Sequence, residues 1–186
     1  MQTAEAQFHD DYLALAKRLF TARAVDAAFR ALKKALVCAP DSTAGVSLLG
    51  NIRLANDGEE MALAAFRRAV LLDGHSDPRA WMNYGNALLV TNDGPRAVDI
   101  FRTVLRLDPD HVMAKTQLAV WYLQTDMGDL ARPYLTDLTA QPDMPPRAAL
   151  VLADALRAFG ARNNARLFYN RAICPIPTIC RAAYFG

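Results

Sequence analysis

The side chains in this sequence that could support catalysis or bind a metal are three histidines and two pairs of neighbouring carboxylates. His9, His75 and His111 have no cysteine and no second histidine at the spacing of a metal site. The pairs Asp10-Asp11 and Glu59-Glu60 point about 100° apart if they lie on a helix, so neither forms a general acid–base pair. We expect both pairs near helix starts, where negative charge complements the helix dipole, and His9 just before the first helix. The sequence therefore predicts no catalytic residue, no metal site and no cofactor.

The number and spacing of the cysteines and the first residues of the chain indicate the cellular compartment. Cys38, Cys174 and Cys180 are odd in number and unevenly spaced, so they do not read as a disulfide framework. Cys174 and Cys180 flank Pro175 and Pro177, which leaves a redox role as the alternative to an inert one. The first residues lack the basic stretch and apolar run of a signal peptide, and no segment offers the roughly 18 apolar residues of a membrane span. We expect a cytoplasmic protein.

The bulk composition excludes several function classes. Hydrophobic residues make up 53% of the chain and charged residues 22%, which suits a sizeable core and is not typical of disorder. The formal net charge is +2, so the charge balance does not require nucleic acid or an anionic membrane as a partner. The sequence has no glycine-rich phosphate loop, no nucleophile elbow and no CxxC pair. We expect a protein that is not an enzyme and does not bind nucleic acid.

An internal repeat runs through nearly the whole chain. In each copy a small residue is followed four positions later by a large apolar residue and three positions after that by a small or aliphatic one. The copies are Ala28-Leu32-Ala35, Ala62-Phe66-Ala69, Ala97-Phe101-Val104, Ala131-Leu135-Leu138 and Ala165-Tyr169-Ala172. Their first members are 34, 35, 34 and 34 residues apart. A fixed period of this length indicates a repeat architecture.

A second pattern precedes each copy at a constant offset. Its positions follow spacings of three, one and three, which place them on one face of an α-helix. The copies are Tyr12-Leu15-Ala16-Leu19, Val46-Leu49-Gly50-Arg53, Trp81-Tyr84-Gly85-Leu88, Lys115-Leu118-Ala119-Tyr122 and Ala149-Leu152-Ala153-Leu156. Turn residues such as 92–95 separate the two patterns, and helix-ending residues such as 108–110 separate the copies. Each copy is therefore predicted to be two amphipathic helices joined by a turn.

This pattern resembles the tetratricopeptide repeat, whose helix pairs of 34 residues carry the signature W-x2-L-G-x2-Y…A-x3-F…P. The third copy matches it most closely, with Trp81, Tyr84, Gly85, Leu88, Ala97, Phe101 and Pro109. The second copy departs from it at Arg53 and Gly74, and the fourth begins with Lys115. The resemblance covers about residues 9–179 and implies an all-α fold, a right-handed superhelix of antiparallel helix pairs.

The resemblance also implies the domain organisation. We predict one solenoid domain over residues 1–186, with repeats at 9–42, 43–77, 78–111, 112–145 and 146–179 and an apolar tail at 180–186. Small residues such as Gly50 and Gly85 are expected to let two helices approach closely. Phe66, Phe101 and Tyr169 are expected to fill the space between adjacent repeats, because a single helix pair cannot bury its apolar face alone.

In tetratricopeptide proteins the first helix of each repeat lines a concave groove that usually holds the ligand. The residues here at groove-facing positions come from all five repeats: Leu13, Lys17 and Phe20; Ser47, Asn51 and Leu54; Arg79, Met82, Asn83, Asn86 and Leu89; Met113, Thr116, Val120 and Leu123; Arg147, Leu150, Asp154 and Arg157. Met82 and Met113 can adapt to an irregular ligand surface, and ordinary packing between repeats is the alternative.

Two ligand-binding patterns known in this family do not fit the sequence. Asn51 and Asn83 match the asparagine positions of the lysine–asparagine clamp for chaperone C-termini, but Ser47, Met113 and Gln117 stand where basic residues are required. The groove asparagines are also too few for the ladder of O-GlcNAc transferases. The resemblance therefore implies an adaptor or chaperone-like protein that binds a peptide segment of an unidentified partner protein.

Three alternatives stay open at this point. The chain could be a self-assembling scaffold, forming homo-oligomers through its solenoid ends or its apolar tail. It could also be a non-catalytic accessory subunit of an enzyme or a secretion system. Finally, basic residues recur on the second helix of most repeats, where they form either a solvated outer face or a stripe that contacts nucleic acid or anionic lipid; we favour the solvated face.

Overall fold

The computed structural model describes residues 2–56, 58–73, 75–141 and 143–173, in two compact units: unit 1, residues 1–103, and unit 2, residues 104–186. Ten α-helices occupy the described ranges: α1 (Gln2–Thr21), α2 (Val25–Cys38), α3 (Thr43–Ala55), α4 (Glu59–Leu72), α5 (Pro78–Val90), α6 (Gly94–Leu107), α7 (Val112–Gln124), α8 (Gly128–Ala140), α9 (Pro146–Ala158) and α10 (Arg162–Ile173). These residues contain no strand. The predicted all-α fold of helix pairs is confirmed; the single-domain boundaries stay a prediction.

Helix starts are fixed by a capping residue at one repeat position. Ser42 Oγ accepts a hydrogen bond from the Gly45 amide at 3.2 Å, and Asp77 Oδ1 accepts one from the Arg79 amide at 2.8 Å. At the same position before α7, His111 Nδ1 accepts from the Ala114 amide at 3.2 Å. Each cap satisfies an amide that has no partner within the helix. Three different side chains therefore begin the first helix of a pair at the same place.

The turns inside four helix pairs, α1–α2, α5–α6, α7–α8 and α9–α10, place a left-handed residue at another fixed repeat position. The φ angle is 63° at Arg23, 59° at Asn92, 58° at Asp126 and 87° at Gly160. Glycine, asparagine and aspartate enter this region routinely, whereas for other residues the crowding of Cβ costs about 1–2 kcal/mol. The left-handed residue ends the first helix and reverses the chain. Arg23 is thus the strained member of the series.

Two glycines of unit 1 allow helices of one pair to approach closely. A Cβ built on Gly50 would lie 2.7 Å from Phe66 Cζ, and one on Gly85 would lie 2.6 Å from Phe101 Cε1. Both rings are fully buried, and Phe66 also packs in one cluster with Ala87 of the following pair. These contacts confirm the predicted role of small residues beside the large rings.

Arginines at one repeat position link neighbouring helix pairs. In unit 1, Arg68 Nη2 donates to the Pro40 carbonyl at 3.0 Å, just beyond the end of α2. In unit 2, the Arg171 guanidinium donates at 2.7–3.3 Å to the carbonyls of Leu138, Thr139 and Gln141, at the end of α8. Carbonyls at a helix C-terminus lack partners within the helix and carry partial negative charge, so a cation stabilises them.

The first helix begins earlier than the sequence predicts. α1 starts at Gln2, so His9 and the pair Asp10-Asp11 lie inside the helix, and the expectation that they precede or start it is wrong. Glutamine, alanine and glutamate dominate residues 2–7 and are good helix formers, which carries the helix past the repeat boundary. His9 Nδ1 lies 3.0 Å from the Ala35 carbonyl and joins α1 to α2. Glu59-Glu60 lie in the first turn of α4, as predicted.

The outward side of α1 differs from that of later first helices. Asp11 stands at the repeat position of the buried residues Gly45 and Ala80, and Asp11 is exposed. Arg18 is also exposed, although its counterparts are the fully buried side chains of Ile52 and Ala87. Ile52 packs in one cluster with residues of the first helix pair. The side of a first helix that later repeats cover therefore carries two charged residues in α1, beside the exposed Phe8 and Leu15.

In unit 2, α7 packs against α8 and α9, and α9 packs against α10. Lys115 of α7 is buried, and its ammonium lies 3.1 Å from an Asp137 carboxylate oxygen and 3.5 Å from one of Asp110. Burial lowers the pKa of Lys115, but the hydrogen bonds and charges of Asp137 and Asp110 outweigh it, so the pKa is raised. Among all described helices of the chain, none is both long and apolar enough to cross a membrane.

Candidate partner-binding surface

A polar depression of about 470 Å³ lies on the first helices of unit 1. Its lining comes from α1, α3 and α5 and from the segment just before α5: Lys17, Thr43, Ala44, Ser47, Leu48, Asn51, Asp73, Asp77, Arg79, Ala80 and Asn83. Successive first helices place equivalent positions side by side, so side chains far apart in sequence share one surface. A concave site with a few convergent polar groups is the usual form of a ligand-binding surface.

Five residues expected in the groove meet in this depression, namely Lys17, Ser47, Asn51, Arg79 and Asn83. The sequence did not single out Thr43, Asp73 and Asp77, which line it as well. Groove positions were assigned within the first helices, whereas Thr43 begins α3, Asp77 directly precedes α5 and Asp73 directly follows the end of α4. The signal that could have found Asp77 is its capping position immediately before Pro78, a proline at the start of a helix.

The central polar side chains of the depression lack protein partners. Within the described part of the chain, Ser47, Asn51 and Asn83 make no side-chain hydrogen bond, and Lys17 is in no ion pair. All three uncharged side chains are half-buried, and Lys17 is exposed. An asparagine amide has two donor hydrogens and an acceptor oxygen, the complement of a peptide group. The depression can therefore hydrogen-bond an extended backbone without first breaking internal bonds.

Asp77 and Arg79 form a charged rim beside these amides. Arg79 Nε donates to Asp77 Oδ1 at 3.2 Å, and this hydrogen bond, with the charge of Asp77, raises the pKa of Arg79 above its ordinary value. The Arg79 side chain is nevertheless 86% exposed, which leaves most of the guanidinium accessible. Because an exposed ion pair contributes little to stability, Arg79 can turn to an incoming anionic group at small cost.

The remaining predicted groove residues of unit 1 lie outside this depression. Leu13 and Met82 are 7% and 6% exposed, so their side chains belong to the core and support the surface from below. Phe20, Leu54, Asn86 and Leu89 are half-buried. Helical periodicity gives the direction of a side chain but not how much a neighbouring helix covers it, which is why the sequence did not distinguish these two groups.

In unit 2 the predicted groove residues are arranged differently. Thr116, Val120 and Leu123 are buried, and Met113 is half-buried. Arg147, Leu150, Asp154 and Arg157 are exposed. Tyr169 of α10 donates a hydrogen bond to Asp154 and accepts one from Arg157 Nε at 3.2 Å. Asp154 and Arg157 of α9 are thus engaged by their own helix pair.

The histidines have structural contacts. His9 joins α1 to α2 and His111 caps α7, while the His75 carbonyl accepts a hydrogen bond from Trp81 Nε1 at 3.1 Å. In the described ranges, no three histidine, cysteine, aspartate or glutamate side chains are grouped to hold a metal ion. Cys38 is exposed and unpaired, whereas Cys174, Cys180 and the apolar tail lie outside the described residues.

Comparison with known proteins agrees with this geometry. A family model described as tetratricopeptide repeat matches residues 47–112, which include α4, α5, α6 and most of α3. Residues 47–112 therefore match the tetratricopeptide-repeat family, and the remaining helix pairs share its fold. Comparison with curated protein sequences gives no match.

Solved structures of tetratricopeptide-repeat proteins share the fold. A thermophilic protein from Thermus thermophilus aligns with a TM-score of 0.74 and 20% identity, over 95% of this chain and 96% of its own. PilF of Pseudomonas aeruginosa aligns with a TM-score of 0.74 and 21% identity, over 96% of this chain and 81% of its own. YrrB, described as a TPR protein with an unusual peptide-binding site, aligns with a TM-score of 0.58 and 18% identity, over 92% and 88%. At these identities the likeness concerns the fold alone.

Proposed function

We propose that this protein is a non-catalytic tetratricopeptide-repeat adaptor that binds an extended segment of a partner protein in the polar depression of unit 1. One observation carries the proposal: Ser47, Asn51 and Asn83, from two successive first helices, converge on one concave surface and make no side-chain hydrogen bond to the described residues. Half-buried polar groups without protein partners are suited to a ligand that supplies the missing bonds.

The binding mode follows from the side chains present. The amides of Asn51 and Asn83 would each pair with the N–H and C=O of a peptide unit, which requires a backbone that is extended and not already hydrogen-bonded. Lys17 and Arg79 would then select acidic or carboxy-terminal groups along the segment. The small side chains of Ala44 and Ala80 leave room for the backbone to lie close to the helices.

Relatives of the same fold support a protein-binding role. YrrB is described as carrying a peptide-binding site, and the helix pairs of this chain follow the same architecture. The proposal also keeps the single solenoid domain of residues 1–186 and a cytoplasmic location.

The test is selection of peptides from a display library against the immobilised protein, followed by calorimetry with the best sequence. We expect the Asn51→Ala/Asn83→Ala double variant to raise Kd at least roughly tenfold, because several hydrogen bonds worth about 1 kcal/mol each are lost. The matched control is Asn163→Ala/Asn164→Ala, which removes two exposed asparagines of α10 in unit 2. Circular dichroism confirms that both variants keep the helical fold.

Two results would contradict the proposal. If both double variants bind the selected peptide as tightly as the wild type, the depression is not the binding site. If the library yields no peptide that binds the folded protein, extended segments are not its ligands.

A further inference from the structure

A second charged surface of unit 1 lies on the second helices, away from the depression. We call it the outer basic face: Arg30, Lys33, Lys34 and Val37 on α2, and Arg67, Arg68 and Leu71 on α4. Spacings of three and four residues place each set on one side of its helix. Lys33 and Arg67, Lys34 and Arg68, and Val37 and Leu71 are pairs 34 residues apart, so the two helices present the same chemistry at the same repeat positions.

The cations of the outer basic face are largely without counter-charges. Of the five, Arg68 alone has an ion pair among the described residues, with Asp41 at 3.1 Å, and both side chains are more than half exposed. Neither helix carries an acidic residue beyond its first turn. Unpaired charges of one sign on neighbouring helices produce a local positive potential, although the whole chain has a net charge of only +2.

Two of these cations are held in place by aromatic rings. Lys33 Nζ lies 6.0 Å from the centre of the Phe29 ring, and Lys34 Nζ lies 5.2 Å from that of Tyr12. The Arg53 guanidinium approaches the same Phe29 ring to 5.1 Å. A cation over a ring face has fewer conformations to lose when an anion binds. The outer basic face is therefore partly preorganised.

Exposed apolar residues complete the surface. Val37 is 83% exposed and Leu71 is 56% exposed, and both lie one helical turn beyond the basic residues. A solvated charged face has no need of two large apolar side chains at matching repeat positions. Their presence indicates a partner that offers apolar as well as acidic side chains.

We propose that the outer basic face docks an acidic segment of a partner protein in which carboxylates are interspersed with apolar side chains. Nucleic acid fits less well, because Phe29 and Tyr12 are half-buried beneath cations and offer no free ring for base stacking. A bilayer surface fits less well because two apolar side chains are too few to insert into the headgroup region. This docking site is separate from the depression on the first helices.

The experiment titrates the full chain into a fluorescein-labelled peptide of about a dozen residues, built from glutamate, leucine and serine. Fluorescence anisotropy gives the Kd. We expect Lys33→Glu/Arg67→Glu to weaken binding at least roughly tenfold at about 50 mM NaCl, with a smaller difference at about 200 mM. Val37→Ser/Leu71→Ser should weaken it several-fold at both salt concentrations. Arg162→Glu/Arg166→Glu, an equal charge change on exposed residues of α10, should have little effect.

Further measurements distinguish binding at the outer basic face from binding in the depression, and the acidic peptide from other anionic ligands. Because the depression is also proposed to attract acidic groups, the charge reversal Lys33→Glu/Arg67→Glu is repeated in the Asn51→Ala/Asn83→Ala background, where it should weaken binding by the same factor. The proposal is overturned if the two charge-reversal variants weaken binding equally, or if a peptide with glutamine in place of glutamate binds as well. It is also overturned if phosphatidylserine vesicles or duplex DNA bind through Lys33 and Arg67 more tightly than the acidic peptide does.

Discussion

Equivalent positions have opposite environments on α3 of unit 1 and on α7 of unit 2. Asn51 of α3 is half-buried and has no side-chain partner in the described part of the chain, whereas its counterpart on α7, Val120, is 8% exposed. Ser47 likewise corresponds to Thr116, which is fully buried and donates its hydroxyl hydrogen bond to the Val112 carbonyl at 2.8 Å. One backbone arrangement thus supports an open polar surface on α3 and buried side chains at the same positions of α7.

This difference separates the residues that specify the fold from those that we propose specify binding. The small and aromatic positions, such as Gly50 with Phe66, set how closely the helices pack. The groove positions vary between polar and apolar without changing the helix pairs. A repeat protein can therefore change its ligand by altering a few side chains while its packing positions stay the same.

The largest expected effect is on the packing positions. Phe66→Ala should lower the free energy of unfolding by about 3–5 kcal/mol, because it removes a fully buried ring and leaves a cavity. Tyr169→Ala, at the equivalent position of unit 2, should cost less because that side chain is only half-buried. Thermal and urea denaturation measure both. A melting curve for Phe66→Ala close to that of the wild type would show that the ring does not fill the core.

A reciprocal exchange tests the contrast of groove positions directly. Val120→Asn should lower the free energy of unfolding by about 1–3 kcal/mol, since it buries an amide where a valine was packed. Asn51→Val should change it by no more than about 0.5 kcal/mol, because no hydrogen bond is lost. Equal destabilisation by the two exchanges in urea denaturation would mean that unit 1 does not present an open polar surface.

The turn residues offer a smaller test. Gly160→Ala in unit 2 should destabilise the protein by about 1 kcal/mol, because φ is 87° there. Arg23→Gly in unit 1 should be neutral or slightly stabilising, since relief of the left-handed arginine offsets the added freedom of the unfolded chain. Differential scanning calorimetry reports both melting temperatures. A clear loss of stability in Arg23→Gly would refute the strain at this turn.

The smallest effect at neutral pH is expected at the buried lysine of unit 2. A lysine whose pKa is raised on folding stabilises the protein below its ordinary value of 10.5, and that contribution is lost as pH rises through the raised pKa. At neutral pH, Lys115→Met should change the free energy of unfolding little, because burial of the apolar methionine offsets the lost ion pairs. Between about pH 8 and about pH 11, the free energy of unfolding of the wild type should fall relative to that of Lys115→Met. Urea denaturation at the two pH values measures this loss of unfolding free energy. Lys17→Met, which removes an exposed lysine of unit 1, is the control.

The repeat pattern and the packing positions could be predicted from the sequence because they recur five times in phase, and recurrence distinguishes them from chance. Individual features could not. The early start of α1 depends on helix formers that lie outside the repeat, and the left-handed Arg23 occupies a turn position without the usual glycine, asparagine or aspartate. Each is a local departure from the pattern that only the coordinates reveal.

The candidate surface was predictable in part for a related reason. Periodicity identified Lys17, Asn51 and Asn83 as neighbours, because helices stacked at a fixed period align equivalent positions. It also selected Met82 and Leu123, which are buried, since burial depends on the neighbouring helix and not on direction alone. Asp77 was missed because its part in the depression follows from the geometry of a helix cap.

The charged outward side of α1 has a consequence for assembly. A second copy that added a helix pair in front of α1 would have to cover Asp11 and Arg18, at positions that later repeats fill with small or apolar side chains. Burying a charge that lacks a partner costs several kcal/mol. Any copy that packs against this end must therefore supply counter-charges for Asp11 and Arg18 as well as apolar contacts for the exposed Phe8 and Leu15.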